Sequence, residues 1–465
     1  MKVCKFGGSS VASAEQIRRV ISIVSADPAR RVVVVSAPGK RSKDDAKVTD
    51  MLISCADCVL NGGNPAGEIA ALSARFESIR EGLGLEAELV EFVQEELARR
   101  LATPASAALT SSAMNAVSVA KFLDSIKALG EEFSARFCAA AFCKAGIPAR
   151  FVDPRESGML VSEEFGNARL LPEAPELLRE FIAPQLDAEI VVYPGFFGYT
   201  RGADVATFSR GGSDITGAIL AAALGAECYE NFTDVDSVYP VDPRIVPEVR
   251  RGIAQMTYRE MRELSYAGFG VFHDEAVLPA IRASIPINIR NTNRPEEPGT
   301  LVLPTRKTVP GRVIGIASTK GFGTILVAKY LMNREVGFVA KILAILSAEG
   351  LPFEHLPTGV DSVSIILRDS LFTAEMKEKV FARIRAELEP DEISYKPGLA
   401  IMMVVGEGMR MTVGTCTRIT GILSAAGVNI EMINQGSSEI SIMFGVSEGA
   451  LETAVRALYA GLFPN

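Results

Sequence analysis

The sequence predicts an α/β protein: a mostly parallel sheet with helices on both faces, followed by two smaller modules of short strands around two helices each. Three observations predict it. Continuous apolar runs of strand length recur between helical segments, as in sheets buried on both faces. The texture then changes after a polar, Pro-rich link, RPEEPGTLVLPTRKTVPG. Finally, AKILAILSAEGLPFEH (340–355) parallels TRITGILSAAGVNIEM (417–432), an internal duplication.

Residues 3–6 read as a short strand, 7–10 as a Gly-rich turn, 15–25 as a helix and 31–36 as a strand of valines, a βαβ opening. Further strands are expected at 149–152, 189–193, 226–232 and 285–289, and a long helical stretch at 48–145. Those helices are expected at the carboxyl ends of the strands, where α/β proteins place ligands. Beyond the link, 314–318, 337–348, 362–367 and 374–388 read β, α, β, α. The second module runs through 400–405, 415–426, 429–435, 439–446 and 450–458. The domains are thus expected at 1–304, 312–395 and 396–465.

With 465 residues, 48% of them hydrophobic, the chain can build two or three cores. A formal charge of −8 argues against a nucleic-acid or anionic membrane surface. No apolar run reaches the roughly 20 residues that span a bilayer, and the start, MKVCKF, reads as a strand rather than a signal sequence. A cytoplasmic protein is expected. The seven cysteines lack paired zinc spacing, and the CADC of Cys55 and Cys58 lies in an amphipathic helix, so all are read as reduced packing residues and no metal site is expected.

Three loops carry candidate chemistry. Lys5-Phe6-Gly7-Gly8-Ser9-Ser10 sets a cation and a bare-backbone turn after the first strand, before a helix N-terminus. Such a turn lets amides approach phosphate oxygens. It is neither GxxxxGK[ST] nor GxGxxG, and a Gly-Gly turn after a strand is common. Ser209-Arg210-Gly211-Gly212-Ser213-Asp214 again precedes a helix and offers a guanidinium fork and a carboxylate. The third, residues 231–244, is an Asp-rich turn following a strand, as ordinary in isolation as it is functional.

Together KFGGSSVA, SRGGSD and FTDVDSVYPVDPRIV closely resemble the aspartokinases of the amino acid kinase family, and INQGSSEISIMFGV resembles their second ACT module. The resemblance runs nearly end to end. It implies the three-layer α/β/α amino acid kinase fold followed by two βαββαβ-type ACT domains. It also implies transfer of the γ-phosphoryl group of ATP, with Mg2+ bound to the nucleotide, onto the side-chain carboxylate of L-aspartate. That is the first step toward lysine (through diaminopimelate), threonine and methionine.

By the same match, Lys5 contacts the transferring phosphoryl group and Gly7, Gly8 and Ser9 cradle phosphates. Thr233, Asp234, Tyr239 and Arg244 match nucleotide-binding residues. Arg210 grips a substrate carboxylate, Glu131 holds the ammonium group, and Ser36, Thr49 and Ser213 match further substrate contacts. Asp214 organises Lys5 or the metal environment. A carboxylate acceptor is already anionic, so attack needs no general base, and neither His273 nor His355 has a role.

The family's Gly-Ala-Lys motif appears as AGFGVFHDE, with Gly270 at the lysine position, and its Leu-Gly-Arg appears as Phe208-Ser209-Arg210. The ACT modules imply feedback by an amino acid, lysine first and threonine second, at an interface between two chains, hence a homodimer. Met332, Glu335, Phe338, Val339, Glu354 and Asp361 match the effector loop. Because the chain ends after the second ACT module, a monofunctional enzyme is expected. Two other readings stay open: a sibling kinase for glutamate or acetylglutamate, and an amino-acid sensor without transfer activity.

Overall fold

The structure is a computed structural model that describes residues 1–102, 116–268 and 274–463. Chain packing divides it into two compact units. The first holds Met1–Val238, Gly252–Tyr258 and Val271–Arg306; the second holds Tyr239–Arg251, Arg259–Gly270 and Lys307–Asn465. Two short stretches inside the expected 1–304 domain therefore belong with the C-terminal modules.

In the first unit the strands are β1 (Lys2–Phe6), β2 (Arg30–Val35), β3 (Ala149–Phe151), β4 (Ile190–Pro194), β5 (Phe197–Tyr199), β6 (Val205–Thr207), β7 (Cys228–Thr233), β8 (Gln255–Thr257), β9 (Ile287–Asn291) and β10 (Thr300–Leu303). Eight of them form one sheet in the order β3-β4-β2-β1-β7-β9-β10-β8, while β5 and β6 make a separate hairpin. Only the β9–β10 pairing in the large sheet is antiparallel, so the expected mostly parallel sheet is present.

Alternation along β1 sorts its side chains between two faces. Cys4 and Phe6 join the core made with the helices Ala14–Ser25, Val48–Leu60, Ala66–Leu83, Glu88–Leu101 and Leu129–Lys144. Lys5 points the other way, toward the helix Gly212–Leu224, which packs on β1, β2 and β7. That helix starts at Gly211, whose φ of 81° is left-handed and suits glycine.

Beneath the first face lies a buried charge cluster. Arg30 grips Glu230 at 2.6 and 3.0 Å, Arg290 reaches the same carboxylate at 3.2 Å, and both guanidinium groups lie over the Phe232 ring. Burial opposes ionisation of Glu230, but Arg30's hydrogen bonds and charge outweigh it, and the carboxyl sits below its usual range. All seven cysteines are free, as the sequence implied.

The second unit is built on one five-stranded antiparallel sheet, β12-β11-β13-β15-β14, with β11 at Gly315–Ala328, β12 at Ser362–Arg368, β13 at Glu392–Val405, β14 at Met432–Asn434 and β15 at Ser441–Ser447. Strands β11 and β13 are each 14 residues long and pair along most of their length, with irregular register at Thr319–Thr324. Residues 315–319 of β11 pair with 401–405 of β13, so the start of the first module completes the sheet of the second. The expected division between 395 and 396 falls inside β13, a continuous strand. Each module keeps its own core, one around Ile325, Phe338 and Ile342, the other around Met402, Ile419 and Phe444. The repeat survives in detail: Phe338–Ala348 and Thr415–Ala425 both start after a left-handed glycine, Gly337 and Gly414.

Candidate active site

The candidate residues of the first unit gather where parallel strands end. Backbone hydrogen bonds carry the ladder past those ends: Gly7 donates to Phe232 O at 3.1 Å, Ser36 to Phe6 O at 3.1 Å and Gly195 to Val35 O at 3.0 Å. Lys5, the second-to-last residue of β1, is buried and its Nζ lies 2.7 Å from Asp214 Oδ1. Asp214 occupies the first turn of its helix, where the helix dipole favours an anion. Asn231 Nδ2 donates to the same carboxylate oxygen at 2.6 Å.

The Gly-Gly turn is closely packed on a second glycine. Gly39 N donates to Gly8 O at 2.8 Å. A Cβ on Gly8 would lie 2.8 Å from Ala37 O, and one on Gly39 would lie 2.7 Å from Gly8 C and 2.8 Å from Ser9 N. Arg75, itself buried, fixes this loop by donating to Gly39 O and to Asp45. The turn is thus shaped by a neighbouring loop as well as by its own residues, while Ser9 faces solvent.

Glu131 and Glu132 are adjacent, both buried, and differently satisfied. Glu132 takes Arg100 at 2.7 Å and Arg136 at 3.1 Å. Glu131 has no ion-pair partner among the described residues, and its Oε2 is a buried acceptor with nothing to accept from. Burial, the dominant influence, pushes its carboxyl up to about 8, against the opposing pulls of the Ala37 backbone and the Lys5 charge. A buried carboxyl in this state is suited to an incoming cation.

The remaining candidates are placed as follows. Ser213 is buried against Gly195, where a Cβ would meet its side chain at 2.6 Å. Ser36 and Thr49 are half-buried, and Arg210 is exposed at the mouth of its loop. Thr233 Oγ1 lies 3.2 Å from the exposed Asp234 carboxylate. Tyr239 and Arg244 lie in the second unit: Tyr239 packs against its hydrophobic core, and Arg244 is exposed and paired with Asp242 at 2.8 Å. Gly270 and His273 lie outside the described residues.

Three residues of this region were given no role from the sequence, although Asn231 opens the third candidate loop. Gly39 follows a strand in SAPGK, a turn signal that was available. Asn231 is a buried polar residue within a strand, also a visible signal. Phe196 has a φ of 79°, a strained value for a bulky residue that only coordinates reveal.

Residues 1–291 match the model of the amino acid kinase family, and residues 402–462 match an ACT domain. The whole chain aligns with aspartokinase 3 of Bacillus subtilis (strain 168), 48% identical over 463 residues and 99% of that protein. This chain belongs to the aspartokinase family. Its fold agrees with a crystal structure of Clostridium acetobutylicum aspartate kinase at a TM-score of 0.84 and 36% identity, covering 99% of both chains. It also resembles E. coli aspartokinase III in complex with lysine and aspartate (T-state), TM-score 0.78 and 27% identity over 100% of this chain and 99% of that one. The same protein with aspartate and ADP (R-state) gives 0.73 and 26% over 100% of both chains.

The positions expected to form an effector loop, all in the second unit, are partly engaged already. Met332 and Phe338 are buried in the module core and Val339 is half-buried. Glu335 pairs with Lys329 at 2.8 Å and Lys341 at 3.3 Å. Glu354 accepts from Tyr266 Oη at 2.6 Å and from Arg368 at 3.2 Å, while Asp361 Oδ1 caps Leu331 N at 2.8 Å.

Proposed function

We propose that this aspartokinase-family chain moves the γ-phosphoryl group of ATP onto the side-chain carboxylate of L-aspartate, giving the acyl phosphate that opens lysine, threonine and methionine synthesis. The acceptor oxygen attacks phosphorus in line, the bond to the β,γ-bridging oxygen breaks, and ADP leaves. Lys5 neutralises charge on the phosphoryl oxygens as it moves, and Asp214 holds Lys5 in place. Backbone amides of Gly8 and Ser9 line the phosphate path, while the expected amide of Gly7 is spent on Phe232 O.

Glu131 is the observation that carries the acceptor's identity. Its neighbour is consumed by two arginines, whereas Glu131 is buried and lacks a cation, as a socket for an α-ammonium requires. Arg210, exposed on its loop, is the complementary fork for a substrate carboxylate. Ser36, Thr49 and Ser213 complete the acceptor side, and Thr233 and Asp234 the nucleotide side.

No cluster of three His, Cys, Asp or Glu suited to a metal ion occurs among the described residues. Mg2+ is expected to arrive with the nucleotide, bound through its phosphates and one or two carboxylates. Asp234, exposed beside Thr233, is the carboxylate suited to hold it, and when bound it would offset phosphate charge.

Control by an amino acid, lysine in preference to threonine, belongs to the second unit. A homodimer is supported by Tyr330, Val336, Met411 and Val413, loop residues of both modules that are 75–101% exposed. No helix among the described residues is long and apolar enough to cross a membrane. A cytoplasmic setting accompanies this substrate pair.

Trapping the acyl phosphate with hydroxylamine tests the reading. Aspartyl hydroxamate is expected from ATP, magnesium and aspartate. Product with glutamate alone would assign a sibling kinase, and none with any acceptor would assign a sensor.

A further inference from the structure

We propose that Asn231 is a positioning residue for phosphoryl transfer, holding the Asp214 carboxylate so that Lys5 faces the transferring group. This rests on the reading of Lys5 and Asp214 given above. Strands β1 and β7 are parallel with Lys5 directly opposite Asn231, so the two side chains leave the sheet side by side on the same face. Both then reach one atom: Asp214 Oδ1 lies 2.7 Å from Lys5 Nζ and 2.6 Å from Asn231 Nδ2.

The amide orientation follows from chemistry, because an ionised carboxylate only accepts and must meet the NH2 group. Asn231 Nδ2 also donates to Tyr229 Oη at 3.3 Å, and that hydroxyl donates to the Asp214 backbone carbonyl at 3.3 Å. Tyr229 is wedged against the helix at Gly217, where a Cβ would meet its ring at 2.6 Å. Strand β7 therefore grips Asp214 by both side chain and backbone. Asn231 is 3% exposed, in a position where an apolar side chain would cost less unless the amide is used.

The geometry has a chemical consequence. Two donors on one oxygen fix the carboxylate's rotation and divide its charge. The Lys5 ammonium is anchored through one N–H while its others remain free for phosphoryl oxygens. Without Asn231 the carboxylate could turn, draw Lys5 into a closer pair and carry it off the transfer line.

The test uses full-length Asn231→Asp and Asn231→Leu, with hydroxamate turnover measured from pH 6 to 9 beside thermal melts. At pH 8 both should lose about 10- to 100-fold in kcat, the scale expected of a misplaced catalytic group, with KM for ATP and aspartate nearly unchanged. In Asn231→Asp, kcat should recover as pH falls. A second carboxyl beside Asp214 has a raised pKa and donates again once protonated. Asn231→Leu should show no recovery.

Unchanged kcat in both variants would overturn the proposal. So would equal losses with wild-type pH profiles and matching falls in Tm, which would make Asn231 a packing residue. Should Asn231→Leu fail to fold, the pH profile of the near-isosteric Asn231→Asp decides alone. An inactive wild type would instead defeat the underlying reading, whereas an active wild type with undisturbed variants defeats only this assignment.

Discussion

The acids of the two units are prepared in opposite ways. In the first unit Glu131 is buried without a cation, so the ammonium of the proposed acceptor would complete it. In the second, Glu335 and Glu354 already have cationic partners, and Asp361 caps a backbone amide. A ligand entering the first site adds an interaction; one entering the second must exchange with partners already there. The first arrangement suits tight, orienting capture of a substrate. The second suits a switch, in which an effector gains only the difference between two states.

The contrast is broken most severely at Lys5. Lys5→Ala should cut kcat by about 1000-fold in the hydroxamate assay, as loss of a preorganised charge does. Retained turnover would remove Lys5 from the chemistry. Glu131→Gln should come next, raising KM for aspartate by about 100-fold while KM for ATP stays put, since the lost partner is a buried charge.

The same variant carries a stability signature. The Glu131 carboxyl ionises near 4.5, the ordinary value, when unfolded and at about 8 when folded, so the native state holds the extra proton between those values. Stability should therefore fall as pH rises through that window. Glu131→Gln should melt at a higher temperature than wild type at pH 8 and show little difference at pH 4.5.

Glu230→Ala would test stability without touching either site. It leaves buried Arg30 and half-buried Arg290 without their carboxylate, and denaturant unfolding should show a loss of about 3–5 kcal/mol. The smallest effect is expected in the second unit. Tyr266→Phe removes a hydrogen bond to Glu354, and half-inhibition by lysine should shift by about threefold, with uninhibited kcat unchanged.

Much of the first unit was legible because its signals are local. Apolar runs separated by helical periods gave the parallel sheet, and the Gly-Gly loops gave its ligand end. Strand β10 was hidden in the segment read as a link and β8 in one given no element, since strands of three or four residues carry little periodicity. The long strands β11 and β13 were read only in part. Their hidden halves, such as Thr319–Gly323 and Glu392–Gly398, are polar and Gly-containing. Strand pairing across modules is a long-range property that no window of sequence contains.

The site divided along the same line. Lys5, Asp214 and Glu131 carry their chemistry in their residue type and motif. Gly39 matters only because a second loop lies against Gly8, and Phe196 only because of its backbone angle. What distinguishes Glu131 from Glu132 is the placement of Arg100 and Arg136, which sequence spacing does not disclose.

Proton counting by calorimetry tests the unmet charge of Glu131 most directly. Aspartate titrated into the ADP-bound protein at pH 7, in buffers of different ionisation enthalpy, should release close to one proton per site as Glu131 gives up its proton to meet the ammonium. Glu131→Gln should release none. Tight aspartate binding by the wild type with no proton released would contradict the account.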